Sequence, residues 1–115
     1  MDCIFCKIVA REIPAKVELE DERVVVFHDV RPQAPTHLLV VPRVHIASLH
    51  EIEDPELGGA LLLAARAAAR KAGLEAGWRL ISNVRGHGGQ EVEHLHLHVL
   101  GGRPLGRMLP SAASK

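Results

Sequence analysis

Two short stretches near the N-terminus carry the hydrophobic pattern of β-strands. Residues Val17 to Glu20 alternate apolar and polar side chains, and Val24 to His28 is rich in β-branched and aromatic residues. Alternation with a period of two is typical of a half-buried strand, and the polar pair Asp21 and Glu22 between the stretches suits a turn. The pattern predicts a β-hairpin, preceded by a short turn-like or helical segment from Cys3 to Ala10.

The next apolar run, Thr36 to Val41, predicts a third strand. It follows a loop, residues 31–35, that contains Pro32 and Pro35, and it stops at Pro42. Proline has no amide hydrogen to give to a sheet, so it marks the limit of a strand.

A long helix is predicted after residue 54. Asp54 has the side chain of an N-cap, Pro55 suits the first helical position, and Glu56 places a negative charge in the first turn. Gly73 supplies the stop signal. Apolar residues recur at intervals of three and four, and we interpret them as a buried stripe that packs against the sheet: Leu57, Ala60, Leu61, Ala64 and Ala68.

Two further strands complete the pattern, Arg79 to Val84 and Glu93 to Leu100. The loop between them, Arg85 to Gln90, contains three glycines, so the two strands are predicted to form a second hairpin. Trp78, the only tryptophan, is expected in the core. Residues 102–115 lose periodicity, and we expect an irregular tail whose last residues are mobile.

Composition narrows the class of protein. The chain has 115 residues, 47% of them hydrophobic and 24% charged, which is typical of one globular domain spanning residues 1–115. Its 14 basic and 14 acidic residues give a formal net charge of zero, which argues against a protein that holds nucleic acid by neutralising phosphates. No apolar run approaches the roughly 20 residues of a membrane span. The N-terminal sequence shows no secretory signal, so we expect a cytoplasmic protein without membrane or nucleic-acid partners.

Eight histidines in so short a chain are unusual, and three of them fall in one alternating run, His94-Leu95-His96-Leu97-His98-Val99-Leu100. A strand here would place three imidazoles on one face and the aliphatic side chains on the other. Three interpretations fit such a row: a solvated strand face, a metal site, or phosphate chemistry in which one ring attacks and its neighbours hold the oxygens. Solvated faces normally use Lys, Glu and Thr, so the first interpretation is the weakest.

The alternating run resembles the His-x-His-x-His-x-x signature of the histidine-triad family. The similarity continues upstream through Gly88-Gly89-Gln90, Asn83, residues 27–37 and residues 4–8, so it covers nearly the whole chain. It is strongest to the purine-nucleoside phosphoramidase branch, the histidine-triad nucleotide-binding proteins. Together with the elements above, the resemblance implies an α+β fold with a five-stranded antiparallel sheet, one long helix across one face and a short N-terminal helix.

The resemblance also implies a reaction at the α-phosphorus of nucleoside 5′-monophosphate derivatives. His96, the middle histidine, would be the nucleophile and would carry the nucleotide until water releases it. Imidazole suits this role because a pKa of about 6.5 leaves it largely neutral at pH 7. His98 and His37 are candidates for holding the phosphoryl oxygens, and His94 completes the catalytic set.

The same resemblance implies a set of nucleotide-binding residues. Asp29 resembles the family's ribose-binding carboxylate, with His28 beside it, and Asn83 resembles a residue near the sugar and phosphate. Backbone N–H groups of Gly89 and Gln90 could bind phosphate oxygens, because glycines let the main chain approach closely. An apolar slot for the base, with core packing as the alternative interpretation, is expected from Ile4, Phe5, Ile8, Phe27, Val30 and Leu39.

Two positions depart from the family pattern. Glu91, counted here with the nucleotide-binding residues, stands where the phosphoramidase branch usually has a hydroxyl residue that delivers a proton to the leaving group. Arg107-Met108-Leu109-Pro110 replaces a tryptophan-proline motif that reaches a partner's site in the family. The resemblance therefore does not extend to the family's preference for particular leaving groups.

Cys3 and Cys6 are spaced as a two-ligand metal chelate, and a reducing compartment makes a structural disulfide the weaker reading. Some members of the wider superfamily complete a tetrahedral zinc with such a pair, a histidine after Pro-x-x-His and the first triad histidine. By this resemblance Cys3, Cys6, His45 and His94 would form a closed structural zinc site. The alternative is two ordinary half-buried thiols, and no cofactor is expected for catalysis itself.

The leading hypothesis is a nucleoside phosphoramidase-like hydrolase whose ligand is a small AMP-type nucleotide. By resemblance it forms a homodimer in which two sheets join edge to edge. Two alternatives stay open: a dinucleoside polyphosphate hydrolase, and a non-catalytic module that binds nucleotide as a sensor.

Overall fold

The computed structural model describes residues 2–109, which form a five-stranded sheet with α-helices on its faces. In chain order the elements are α1 (Ile4–Val9), β1 (Val17–Glu20), β2 (Val24–His28), β3 (Thr36–Pro42), a 3₁₀ helix (Leu49–Glu51), α2 (Pro55–Lys71), β4 (Trp78–Ile81) and β5 (Leu97–Gly101). Residues 102–109 contain neither helix nor strand, as predicted for the tail, and the residues expected to be mobile after 109 lie outside the described range. Within that range, every helix is too short or too polar to traverse a bilayer.

All neighbouring strands of the sheet are antiparallel, in the order β1-β2-β3-β5-β4. The central strand is β3, and β1 and β4 form the two edges. The predicted α+β fold, with a five-stranded antiparallel sheet, a long helix and a short N-terminal helix, is confirmed.

The sequence signals at both ends of α2 act as predicted. The side chain of Asp54 accepts a hydrogen bond from the backbone N–H of Glu56 at 2.9 Å, and Pro55 is the first helical residue. The helix ends at Lys71, and Gly73 follows with a φ of +75°, a conformation that glycine adopts without steric cost.

The sheet separates two apolar clusters. On one face, here called the helix face, α2 packs against alternate side chains of β2, β3 and β5. On the other, here called the α1 face, Phe5 from α1 packs against Val25, Phe27, Leu39 and Val41. Because successive strand residues point to opposite faces, the continuous apolar runs of β2 and β3 supply both clusters.

The strand predicted from Glu93 to Leu100 is shorter in the structure and begins only at Leu97. Continued pairing with β3 would set Leu95 opposite Pro42, which has no N–H to donate. The N–H of Leu95 donates instead to the carbonyl oxygen of Ile46, at 2.7 Å. The prediction was therefore wrong for the residues before Leu97.

The prediction for β4 also needs correction. The strand covers Trp78–Ile81 rather than Arg79 to Val84, and it pairs with β5 through a long loop, residues 82–96, rather than a tight hairpin turn. The expectation that Trp78 lies in the core is wrong: the residue is 38% exposed, because β4 is an edge strand.

Candidate active site

Four histidines come together on the α1 face, where β3 and β5 pair. The ring centroids of His37 in β3 and His98 in β5 are 5.1 Å apart, and the ring of His96 lies 5.1 Å from that of His98. His94 lies in the segment before β5. The rings share one side of the chain although residues 94–96 are outside the strand, since the residues between them pack into the helix-face cluster: Leu95, Leu97 and Val99.

Phe5 joins α1 to this histidine row. Its ring meets His96 edge-on at a centroid distance of 5.1 Å, His94 at 6.0 Å and Phe27 at 5.5 Å. His94 is 0% exposed and His96 only 6% exposed. The surrounding aromatic packing therefore restrains the ring of His96 in one orientation.

A backbone hydrogen bond fixes which nitrogen of His96 is available. Its Nδ1 lies 2.8 Å from the carbonyl oxygen of His94. A carbonyl oxygen only accepts, so Nδ1 carries the hydrogen and, in the neutral ring, Nε2 keeps its lone pair. This is the state that a histidine nucleophile requires.

His37 and His98 form a chain of hydrogen bonds with a defined direction. The backbone N–H of Gln33 donates to Nδ1 of His37 at 3.1 Å, so a neutral His37 carries its hydrogen on Nε2. That nitrogen donates to Nδ1 of His98 at 2.9 Å. His98 then carries its hydrogen on Nε2, which lies 3.5 Å from the amide nitrogen Nδ2 of Asn83, so the two groups are adjacent donors and form no hydrogen bond with each other. The chain thus presents an N–H donor on the ring next to His96.

Burial keeps these two rings neutral. Burial, followed by the neighbouring rings of His96 and His37, lowers the pKa of His98 to about 4, against the opposing effect of Asp29. Burial also lowers the pKa of His37, and Asp29, whose carboxylate lies 3.5 Å from Nε2, opposes this too. At neutral pH the two rings therefore act as N–H donors rather than as cations.

Asp29 stands at the edge of the histidine row. One carboxylate oxygen accepts the backbone N–H of Arg31 at 2.8 Å, and the other faces His37. The backbone N–H of Asp29 donates to the carbonyl oxygen of His37 at 3.0 Å. The loop after β2 is thereby fastened to β3, with the predicted ribose ligand beside the histidines.

The predicted apolar slot divides into buried and exposed residues. The buried group forms a floor on the α1 face: Phe5, Phe27, Leu39 and, partly buried, Ile8. Ile4 and Val30 are 48% and 90% exposed. The floor residues serve core packing, while the exposed pair is accessible to a ligand.

The ring of His28, expected among the nucleotide-binding residues, lies on the helix face of the sheet. Its Nε2 is 2.7 Å from a carboxylate oxygen of Glu18, which also pairs with Lys71 at the end of α2. Residues 24, 26 and 28 of β2 share this face because side chains alternate along a strand. The side chain is thus directed away from the histidine row, which leaves only its backbone for a nucleotide contact.

The glycine-bearing loop, residues 85–90, is closed by its own hydrogen bonds. The N–H of Gly89 donates to the carbonyl oxygen of Gly86, and that of Gln90 to the carbonyl oxygen of Arg85, both at 3.0 Å. The two N–H groups expected to hold phosphate are therefore engaged within the loop in this conformation.

Gly88 and Glu91 lie in the same loop region. A Cβ on Gly88 would collide with the backbone of Val84, so the loop packs onto its own entry and accepts only glycine there. Glu91 is exposed and lines a cavity of about 540 Å³ beside α1.

A cluster of thiol and imidazole groups lies next to the histidine row. Nδ1 of His94 is 3.4 Å from Sγ of Cys3 and 3.5 Å from Sγ of Cys6, which is itself 3.3 Å from Nδ1 of His45. All four ligand atoms lie within 4.8 Å of one another. Zn–S bonds of about 2.3 Å and Zn–N bonds of about 2.0–2.1 Å would set tetrahedral ligands roughly 3.3–3.8 Å apart. Three of the pairs have this separation, and the four residues are grouped closely enough to form a candidate metal site.

The second nitrogen of His94 supports this arrangement. Its Nε2–H donates to the carbonyl oxygen of Pro42 at 2.8 Å, which leaves the lone pair of Nδ1 facing the thiols. Burial lowers the pKa of His94 and raises the pKa of the Cys6 thiol. A neutral ring at this position is the form that binds metal.

Sequence reasoning missed the groups that orient these rings. They are the carbonyl oxygens of Pro42 and His94 and the backbone N–H of Gln33. Every residue type supplies a backbone N–H or carbonyl, apart from the N–H that proline lacks, so such contacts leave no residue signature. Only the fold shows them.

Comparison with known proteins agrees with this geometry. The HIT domain family model matches residues 10–105. The purine nucleoside phosphoramidase of Escherichia coli (strain K12) is 45% identical over 111 residues, which cover 94% of this chain and 93% of that protein. A HIT family hydrolase from Clostridium thermocellum superposes with a TM-score of 0.91 at 42% identity, covering 94% of this chain and 97% of that chain. A HIT family hydrolase from Legionella pneumophila Philadelphia 1 superposes with a TM-score of 0.88 at 50% identity, covering 91% of this chain and 96% of that chain. The chain belongs to the HIT, or histidine-triad, family.

Proposed function

We propose that this chain is a hydrolase that cleaves phosphoramidate derivatives of nucleoside 5′-monophosphates, with His96 as the nucleophile. The main support is the orientation of His96, whose Nδ1–H is held by a carbonyl oxygen so that Nε2 is available. The adjacent ring of His98 supplies a neutral donor. The 45% identity to a purine nucleoside phosphoramidase agrees with this class of reaction.

The proposed reaction has two displacements. Nε2 of His96 attacks the α-phosphorus, a bond from phosphorus to the ring forms, and the bond from phosphorus to the leaving amine breaks. The amine departs with the electron pair and takes up a proton from solvent. Water then attacks the same phosphorus and loses a proton to solvent, the bond to the ring breaks, and the nucleoside monophosphate leaves with His96 restored. Two easier steps replace one difficult hydrolysis.

Neutral donors hold the phosphoryl oxygens in this proposal. Nε2–H of His98 and the amide of Asn83 lie together at the end of the hydrogen-bond chain that begins at Gln33. Donors that are already oriented stabilise developing negative charge without reorganisation. The N–H groups of Gly89 and Gln90 would join them only by exchanging their partners inside the loop.

The nucleoside would lie along the α1 face. Asp29 is the proposed ribose ligand, because its carboxylate stands beside His37 and can accept hydrogen bonds from sugar hydroxyls. Exposed Ile4 and Val30 would contact the base above the aromatic floor that contains Phe5 and Phe27. An apolar floor with a few directed polar groups is typical of small-molecule sites.

Release of AMP from adenosine phosphoramidate tests the proposal. We expect the wild-type protein to turn this substrate over and His96→Ala to lower kcat/KM by about 10³-fold or more. His50→Gln, in the exposed part of the 3₁₀ helix, is the matched control and should match the wild type. Turnover that survives in His96→Ala would remove this residue from its role. AMP binding without turnover in the wild type would indicate a non-catalytic nucleotide-binding module instead.

We further propose that Cys3, Cys6, His45 and His94 hold a structural zinc ion. The support is the donor set of two thiols and two imidazoles, their mutual distances and the bond from His94 to the Pro42 carbonyl oxygen. Such an ion would supply a cross-link from α1 to the segment before β5. We propose a cytoplasmic location as well, where reducing conditions would keep the thiols of Cys3 and Cys6 free to bind the ion.

We also propose that the chain is a single domain that forms a homodimer through β4. Within residues 2–109, the outer side of β4 has no neighbouring strand, and Trp78 and Leu80 on it are each 38% exposed. Leu62 of α2 is 56% exposed and shares an apolar cavity of about 340 Å³ with Leu80. An apolar edge strand of this kind is normally covered by another chain segment. A second copy would cover it by extending the sheet.

A further inference from the structure

We propose that Gln90 is a positioning residue, whose side-chain amide holds the loop of residues 82–96 in the conformation that places Asn83 and His96 in the active site. This rests on the proposed function in so far as His96 is the nucleophile.

The amide group of Gln90 is engaged by three main-chain groups. Its Oε1 accepts the N–H of Arg85 at 2.8 Å, and its Nε2 donates to the carbonyl oxygens of Ala47 at 2.6 Å and Val92 at 2.9 Å. A primary amide has two N–H donors, so both are used. The side chain has no donor left for a phosphate oxygen, and its role is to connect parts of the protein.

Two of these main-chain groups lie within the loop, on either side of Gln90, and the third lies outside it. Arg85 lies two residues after Asn83, and Val92 lies two residues before His94. Ala47 lies outside the loop, between β3 and the 3₁₀ helix. Gln90 therefore connects the two halves of the loop to each other and to a point outside the loop. The loop carries Asn83 at its start and His96 at its end, so its conformation sets where both groups stand relative to His98.

The loop conformation needs such a contact because it is strained. Arg85 has a φ of +57°, in the left-handed region that residues with a side chain rarely adopt. The backbone N–H of Arg85 donates the hydrogen bond that Oε1 of Gln90 accepts. Gly88 packs directly onto the backbone of Val84. The ion pair from Arg85 to Glu51, at 2.9 Å, is largely exposed and contributes little by itself. The half-buried amide of Gln90 is thus the stronger restraint.

Two substitutions and one control test the role of Gln90. Gln90→Met keeps the length of the side chain and removes all three hydrogen bonds, whereas Gln90→Glu keeps an acceptor for Arg85 and loses both donors. His87→Gln changes an exposed position in the same loop and is the control. Kinetics on adenosine phosphoramidate give kcat and KM separately, and hydrogen–deuterium exchange reports the loop amides.

We expect kcat to fall by about 10-fold or more in both Gln90 variants, because a displacement of about 1 Å at a reacting group can cost about 100-fold in rate. KM should change by less than about threefold, since Asp29 and the apolar floor bind the nucleoside from other segments. Amides of residues 84–93 should exchange faster while those of β5 do not change. His87→Gln should match the wild type in every measurement.

Three results would overturn the proposal. One is a wild-type kcat in either Gln90 variant. Another is a rise in KM at constant kcat, which would make Gln90 a substrate ligand. The third is a fall in kcat that only follows the loss of folded protein in thermal unfolding. If the wild type itself does not turn over the substrate, the proposed function fails, and the exchange comparison still decides whether Gln90 holds the loop.

Discussion

At the scale of single residues, His98 shows how burial selects a protonation state. Burial and the adjacent rings lower its pKa to about 4, so we expect the ring to stay neutral throughout the physiological range. Histidine ring signals in an NMR titration should give a midpoint of about 4 for His98. Comparison with His98→Gln assigns the signal. A midpoint near the ordinary value of about 6.5 would mean that His98 can act as a cation.

The same shift makes the stability of the fold depend on pH. An unfolded His98 would bind a proton at about pH 6.5, whereas the folded ring binds it at about 4, so the unfolded state holds more protons between these values. The free energy of unfolding should therefore decrease as the pH falls from 6.5 towards 4, with His98 accounting for at most about 3 kcal/mol. Burial of His37 acts in the same direction.

Denaturant unfolding at a series of pH values measures this effect. The slope of unfolding free energy against pH should be shallower in His98→Gln than in the wild type, whatever the absolute stability of the variant. Parallel slopes would show that His98 does not couple folding to pH.

At the scale of elements, strands and helices with strong local patterns could be predicted from the sequence, and the segment before β5 could not. β1 and β2 have the predicted bounds, and α2 begins at the predicted Pro55. Residues 94–96 keep the alternation of a strand but leave the ladder, because Pro42 cannot continue the pairing and Ile46 takes the N–H of Leu95. That outcome depends on contacts between segments about 50 residues apart, which a local pattern does not contain.

Some features of the candidate site could likewise be predicted from the sequence, and others could not. The histidine row and the two cysteines could be found from their residue types, because imidazole and thiol groups carry recognisable chemistry, whereas Asp29 is identified through the family resemblance. The direction of the chain from Gln33 through His37 to His98 could not, since a backbone N–H starts it. The helix-face position of the His28 side chain follows from the alternation of β2, because residues 24, 26 and 28 point to the same side. This position could have been predicted from the sequence of the strand.

Glycines of the loop between β4 and β5 provide a test at this scale. A Cβ on Gly88 would collide with the backbone of Val84, whereas one on Gly86 would meet open space, and Gly86 has no positive φ. We expect Gly88→Ala to displace the loop and lower kcat by about 10-fold or more, and Gly86→Ala to have little effect. Steady-state kinetics on adenosine phosphoramidate measure both. Equal activity of the two variants would show that the loop tolerates displacement.

At the scale of the whole molecule, the proposed zinc would connect three parts of the chain. Cys3 and Cys6 belong to the start of α1, His45 follows β3, and His94 precedes β5. A ligand that binds only the folded state stabilises it, so we expect chelation to lower Tm by about 5 °C or more. Cys3→Ser should melt like the chelated wild type and should not respond to a chelator. Elemental analysis should find about one zinc per wild-type chain, and protein without zinc whose Tm is unchanged by chelation would indicate ordinary thiols.

The two edges of the sheet differ in a way that allows the proposed dimer to be tested. Leu80 on β4 and Val17 on β1 are each 38% exposed, but Leu80 shares an apolar cavity with Leu62 of α2, which is 56% exposed. A charge on the β4 edge should oppose pairing with a second copy, because lysine on an edge strand disfavours strand addition. Sedimentation velocity should give twice the 12.5 kDa of one chain for the wild type and for Val17→Lys. Leu80→Lys should shift the population towards the single chain. A wild type that sediments as a single chain, or a dimer that Val17→Lys disrupts and Leu80→Lys does not, would place the interface elsewhere or remove it.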